Sequence, residues 1–231
     1  MPGPIHLLPT APLADRVLLP GDPGRALRLA QALLDEPRMF NHNRGLWGYT
    51  GTAGDGRELT IQSTGMGGPS AAIVIAELAD LGATTLLRVG TCGGLEPSLS
   101  LGELLIVTEV LAQDGTSRAL GAGARARPSE DLLTGLRQAG GETAREGPVV
   151  SSDLFYDGEA GQEARWLQEG ALAVEMEAAT LFALAARRRL RAGCVLIVSD
   201  VILPSRRRID AAALRDAEHR LGELAVQALT G

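Results

Sequence analysis

Cysteine is nearly absent: Cys92 and Cys194 are the only two in 231 residues. Neither stands in a CxxC or Cys/His spacing, which argues against a zinc site and a disulfide framework. Both read as reduced thiols of a cytoplasmic protein. Long apolar runs are missing too, because Gly, Arg or Asp cuts each one short of a membrane span. The opening "MPGPIHLLPTAPLADR" lacks the basic start and continuous apolar stretch of a signal peptide. A formal net charge of −6 gives no electrostatic footprint for nucleic acid. The phosphate-loop pattern GxxxxGK followed by Ser or Thr does not occur, and neither does GxGxxG, so a P-loop and a nicotinamide site are both without support.

What is present is a chain 45% apolar, enough for a sizeable core, with no repeat and no long linker. It reads as one domain over residues 1–231. "RVLLPG" reads as a short strand followed by the amphipathic helix "DPGRALRLAQALL", with Asp22 at its start and Pro23 in its first turn. "GLWGYTGTA" and "ELTIQSTG" read as strands around Gly54–Gly56. Further strands are "TTLLRVG", "GELLIVTEVLAQDG", "GPVVSS" and "AGCVLIVSD". Helices are expected at "PSAAIVIAELADLG", "SEDLLTGLRQAGG", "EAATLFALAARRRL" and "DAAALRDAEHRLGELAVQALT". Strands alternate with helices, and several strands are continuously apolar. The fold class expected is therefore α/β, with a mixed, mostly parallel central sheet flanked by helices on both faces. The segment "ALGAGARARPS" is expected to be a mobile surface loop.

In such folds ligands gather at the carboxyl ends of strands. The polar, glycine-rich clusters fall at those ends: "PGDPGR", "STGMGGPS", "RVGTCGG", "SSDLFY" and "VSD". Five such ends point to one shared pocket. Arg88 interrupts an apolar strand, where an unpaired guanidinium would cost several kcal/mol. It serves either an anion or a structural ion pair. Arg25, one turn into a helix behind a glycine turn, fits an anion site or a solvated surface equally. Phe155 and Tyr156 stand side by side in a chain only 3% aromatic, which suits a stacked planar ligand or a small apolar cluster. Asp200 ends an apolar strand after Ser199, as a general acid or as a turn cap. In "AVEMEAAT", strand spacing would send Glu175 and Glu177 to one side and Met176 to the other. Helical spacing would part the two glutamates by about 200°. Carboxylates on one side could accept the paired hydroxyls of a sugar diol.

Taken together, "LLPGDPGR", "NHNRGLWGYTG", "STGMGGPSAAI", "RVGTCGG", "SSDLFY", "VEMEAATLFALA" and "VSD" resemble the nucleoside phosphorylase family, which includes hexameric purine nucleoside phosphorylases and uridine phosphorylases. The pieces follow the family's order over nearly the whole chain. The resemblance implies reversible phosphorolysis of a nucleoside to a free base and ribose 1-phosphate, in a trimer of dimers whose pockets are shared between neighbours. It implies that Gly21, Arg25, Arg88 and Thr91 hold phosphate, with Arg44 supplied by the partner chain. Glu177 and Met176 would bind ribose with Glu175 beside them, and His6 would reach across the interface to the 5′-hydroxyl. Phe155 would stack on the base. Asp200, preceded by Ser199, would be the purine-type acid, assisted by Arg215 at the start of the last helix. No metal or organic cofactor is implied, only phosphate as co-substrate. The purine type is favoured by Asp200. The uridine type is the alternative, because of Thr91 and the near-match of Gln162 and Arg165 to a uracil-reading pair.

Overall fold

The structure, a computed structural model, describes residues 3–230. Strand β1 (Arg16–Leu19) leads into helix α1 (Pro23–Leu33). Asp22 caps that helix, its side chain accepting from the Arg25 N–H at 2.6 Å, and Pro23 occupies the first turn. Strands β2 (Leu34–Asn41), β3 (Gly48–Ala53) and β4 (Glu58–Gln62) follow as an antiparallel run, then α2 (Gly68–Asp80), β5 (Thr85–Gly94) and β6 (Leu104–Ala112). Next come α3 (Gly115–Ala119), β7 (Arg125–Ala126), α4 (Glu130–Gly140), β8 (Ala144–Ser151), α5 (Gln162–Gln168) and β9 (Ala173–Glu175). The chain ends with α6 (Ala178–Arg188), β10 (Arg191–Val201), β11 (Arg207–Arg208) and α7 (Ala211–Ala228).

Among the described residues the strands form one sheet in the order β11-β10-β6-β8-β9-β5-β1-β4-β3-β2, with β7 on β6. The ladders β4–β1–β5–β10 and β6–β8–β9 are parallel and the others antiparallel, a mixed sheet. Strand β10 pairs with β5 as well as β6, so β5, β10, β6, β8 and β9 close into a ring. The alternation of strands and helices gave no sign of that closure. It comes with register shifts at Val198/Asp200 in β10 and Val107/Glu109 in β6, which bend strands as β-bulges do.

Helices cover both faces. On one, Val74, Ile75 and Leu78 of α2 pack with Leu181, Phe182 and Ala185 of α6. On the other, Leu29 of α1, Leu132 and Leu136 of α4, and Leu221 and Ala225 of α7 form the second layer. Gly222 lets α7 close on α1, since a Cβ there would lie 2.8 Å from Leu29 and Leu33 side-chain carbons.

"ALGAGARARPS" is not wholly a loop: Arg125 and Ala126 in it form β7. Asp114 caps α3 through the Ser117 N–H at 2.7 Å, β7 joins the sheet, and Arg125 and Arg127 both pair with Glu109. Its glycine and arginine content concealed these charge contacts across strands.

At the opposite end from the polar clusters, Arg16 is buried under the β3–β4 turn. Its two terminal nitrogens each reach an Asp55 oxygen at 2.6 Å. The hydrogen bond from Arg16, against a smaller burial cost, holds Asp55 below the usual carboxylate range. That stabilisation is present above the ordinary carboxylate pKa and is lost as pH falls through the lowered value. Asp55→Asn should therefore cost about 3 kcal/mol at pH 7, because Arg16 stays buried without its counter-charge. It should also flatten the loss of stability below about pH 4. Urea unfolding at several pH values measures both, and parallel acid profiles for parent and variant would contradict the assignment.

Candidate active site

One cavity of about 560 Å³ opens where the strands end. Its walls come from Gly21 after β1, Gly65 after β4, Arg88 to Gly93 in β5, Ser152 after β8, Glu175 to Glu177 between β9 and α6, and Ser199 and Asp200 in β10. The five strand ends expected to share a pocket do share it.

Arg88 lies within this wall, and both glutamates of "AVEMEAAT" hold it. Its Nε donates to Glu175 Oε2 at 2.9 Å, and its Nη2 lies 2.5 Å from Glu177 Oε2. The guanidinium folds back across Gly90, where any Cβ would sit 2.8 Å from its central carbon and Nη2. Burial alone would discourage the charge, but Glu177 and Glu175 outweigh it and keep Arg88 protonated. The two carboxylates converge as strand spacing requires, although Glu177 already stands at the head of α6.

The structure separates the roles of these glutamates. The Glu175 side chain has no exposed surface, and its oxygens are occupied by Arg88, the Ser151 hydroxyl and the N–H groups of Glu177 and Ala178. It lines the cavity wall while bracing Arg88 and the start of α6. Glu177 keeps a small opening to the cavity. Its Oε1 accepts from the Gly67 N–H at 2.5 Å, a contact that depends on the left-handed φ of 84° at Gly67. Burial, with Glu175 adding to it and Arg88 opposing, pushes Glu177 above the usual carboxylate range. Met176 and Thr91 line the same wall.

Arg25 reaches the cavity from the first turn of α1. Its Nε donates to Glu218 of α7 at 2.8 Å, a partner that sequence reading missed because 193 positions separate them. Gly21 lies beside it, with the backbone of Gly65 so close that a Cβ would stand 3.1 Å from the Gly65 carbonyl.

At the other end, Asp200 is nearly buried in the bulge of β10. The Ser199 hydroxyl donates to it at 3.2 Å, and the Nε of Arg206 lies 3.1 Å from its Oδ2. Arg206 also lies 5.2 Å above the ring of Phe155, whose edge meets Tyr156 at 4.8 Å between centroids. The guanidinium beside Asp200 thus belongs to Arg206 and not to the expected Arg215. Arg215 sits exposed on α7, outside the cavity wall, because the Ile202–Arg206 turn and the β11 hairpin bring the earlier arginine back over β10. The Gln162/Arg165 pair is not assembled either. Gln162 lines the cavity, while Arg165 turns to Glu159 at 2.7 Å.

His6 is outside the cavity of its own chain: its Nδ1 lies 2.7 Å from Glu77 of α2. Arg44, expected from a partner, lines the mouth of its own chain's cavity from a single 3₁₀ turn, with φ at a left-handed 57°. Non-glycine residues hold that conformation at a cost, and such residues gather at binding sites.

Comparison with known proteins matches the phosphorylase superfamily over residues 15–230. The chain is 39% identical over 200 residues to a purine nucleoside phosphorylase DeoD-type of Geobacillus kaustophilus, covering 84% of each chain. It is 36% identical over 223 residues to one from Roseobacter denitrificans, covering 94% of this chain and 93% of the relative. To a guanosine phosphorylase of Halorubrum lacusprofundi it is 41% identical over 185 residues, covering 78% and 76%. A cavity walled by guanidiniums at one end and an aspartate at the other, in a chain matched over almost its whole length, belongs to a nucleoside phosphorylase of the phosphorylase superfamily.

Proposed function

We propose that this chain is a purine nucleoside phosphorylase, transferring the pentose of a purine nucleoside to orthophosphate. The observation that carries the reading is one cavity with Arg25 and Arg88 on one wall and Asp200 on another, with Glu177 beside Arg88. Phosphate carries between one and two negative charges near neutral pH, and guanidinium forks with backbone N–H groups at Gly21, Gly90 and Thr91 suit its oxygens. Glu177 accepts ribose hydroxyls and fixes the sugar between phosphate and base. As the glycosidic bond breaks, positive charge grows on the sugar and the phosphate stabilises it. Asp200 in its protonated form gives a proton to N7 of the leaving purine. Arg206 then faces the carboxylate left behind. The products are the free base and pentose 1-phosphate, and no metal or organic cofactor enters. A uridine phosphorylase has no use for an acid at Asp200, and the arginine it would need to read uracil is turned away to Glu159.

The same reading makes the protein a cytoplasmic salvage enzyme, in keeping with its two free thiols. It also makes it a homo-oligomer, a hexamer built as a trimer of dimers. Support comes from the apolar side chains of Ile5, Leu8, Met39, Trp47 and Met66, all exposed on the N-terminal segment, on β2 and near the cavity mouth. Met66, 86% exposed, stands at the cavity wall. His6 and Arg44 stand on the same segments; Arg44 lines its own cavity in the single chain, and in the proposed assembly a second copy would carry both residues to its neighbour's cavity.

Inosine, guanosine, adenosine and uridine, each with and without phosphate, test the central reading. Purine turnover that requires phosphate is expected. Turnover of uridine alone, or turnover without phosphate, would refute it. Asp200→Ala should lower kcat/KM on inosine by about 10²–10⁴-fold. It should cost far less on 7-methylguanosine, whose base leaves without protonation, and Arg206→Ala should follow the same pattern more strongly than Arg215→Ala. Equal losses on both nucleosides would remove Asp200 as the acid. Subunits of Arg44→Ala and Glu177→Ala, each inactive alone, should regain partial activity when unfolded and reassembled together. Mixed assemblies without recovery would show that pockets are not shared.

A further inference from the structure

Arg25 and Arg88 are held alike: each gives its Nε to a buried carboxylate on a distant element, Glu218 for Arg25 and Glu175 for Arg88. Glu175 belongs to the motif already discussed, whereas Glu218 belongs to none. It sits on the inner face of α7 with only 3% of its side chain exposed, and it touches no part of the cavity. Two guanidiniums share it. Arg25 donates to Oε1 at 2.8 Å. Arg28, one turn further along α1, donates Nε to Oε2 at 2.7 Å and Nη2 to Oε1 at 2.9 Å.

Three features make this more than a structural ion pair. First, a carboxylate so buried is costly alone, and burial would raise its pKa, yet the hydrogen bonds from Arg28 and Arg25 hold it below the usual range. It is therefore a fixed negative post. Second, Arg25, Arg28, Glu218 and Asp22, which lies 3.5 Å from Arg28, make a cluster of two cations and two anions in which Glu218 is shared by both guanidiniums. Arg28 takes the carboxylate with two N–H groups, so Arg25 commits only its Nε. Among the described residues the Arg25 Nη1 and Nη2 make no hydrogen bond to a protein acceptor, and Arg25 lines the cavity. Third, the bond crosses the α1–α7 contact that Gly222 permits, so the position of α7 sets where the Arg25 fork points.

We propose that Glu218 is a positioning residue for the oxyanion co-substrate: with Arg28 it locks the Arg25 guanidinium by its Nε and turns its two terminal nitrogens, still charged, toward phosphate. This rests on the phosphorolysis reading above and names a determinant of phosphate affinity that lies outside the cavity. Glu218 touches neither substrate nor reacting atoms, so its loss acts on one substrate only.

The test is initial-rate kinetics on the full-length enzyme, varying phosphate at saturating inosine and inosine at saturating phosphate. Calorimetric titration with inorganic phosphate alone accompanies it. Glu218→Gln keeps the shape but loses the charge, and it should raise the KM and Kd for phosphate about tenfold. The KM for inosine, and kcat at saturating phosphate, should stay within about threefold. Glu218→Asp should recover part of the phosphate affinity, which a simple packing defect would not. Should Glu218→Gln fail to fold, Arg28→Met provides the second reading. It leaves Glu218 to neutralise Arg25 alone and should also raise the phosphate KM selectively. A lower Tm with phosphate KM unchanged, or an equal rise in both KM values, would overturn the proposal. A parent enzyme that neither binds phosphate nor depends on it would instead overturn the phosphorolysis reading beneath it.

Discussion

A guanidinium inside an apolar strand is the constraint from which the rest of this site follows. Arg88 cannot remain charged in β5 without counter-charge, and Glu175 and Glu177 supply it. Fixing two carboxylates there creates further demands. Glu175 needs four donors and finds them in Arg88, Ser151 and the first N–H groups of α6, so the β8 end and the α6 start are drawn to the same point. Glu177 needs a donor on its far oxygen and takes the Gly67 N–H, which ties the glycine turn before α2 into the wall. Gly90 has to lack a side chain so that Arg88 can lie down. One buried charge thus specifies the junction of four elements.

That junction also leaves a vacancy of the right kind. A carboxylate accepts about four hydrogen bonds. Glu175 has its capacity filled by the protein, whereas each Glu177 oxygen has one partner and room for another. Two neighbouring oxygens with spare acceptor capacity, next to a guanidinium, match a diol held beside an anion. The division of labour between two glutamates two positions apart comes from the strand ending between them, not from any difference in residue type.

Much of this was legible in the sequence, and the limits have physical causes. Arg88 in "TTLLRVG" and the pair in "AVEMEAAT" announced themselves because charge inside apolar runs is expensive, so each demanded a partner. Strand spacing placed both glutamates on one side, as they are, but could not say which would be consumed in bracing. Elements with strong period or good caps, such as α1 behind Asp22-Pro23, were readable. Short edge pieces such as β7, β11 and α5 were not, because they are made by tertiary contacts and carry little pattern of their own. Arg206 and Arg215 illustrate the same limit. Both follow Asp200 within one segment, and only the fold of the intervening turn decides which guanidinium comes back to it. Glu218 lay beyond sequence reading altogether, since its partner is 193 positions away across a helix–helix contact.

The chain contains no lysine, so all 22 of its basic side chains are arginine. Composition therefore cannot mark any one of them as functional. What distinguishes Arg25 and Arg88 is how they are held. A guanidinium can give its Nε to one acceptor and its terminal nitrogens to another, with all of these in one plane. A lysine ammonium, a point charge on a flexible stem, has no such separation between the part that is anchored and the part that binds. Surface arginines here make the same kind of pair without the burial. Arg165 meets Glu159, and Arg137 meets Glu146, in open water, where such pairs contribute little. In the cavity the anchoring carboxylates are buried, so the ordering cost of the side chain is met by the protein before any ligand arrives. An all-arginine chain provides the chemistry at every position, and at Arg25 and Arg88 a buried partner carboxylate fixes the guanidinium in the cavity wall.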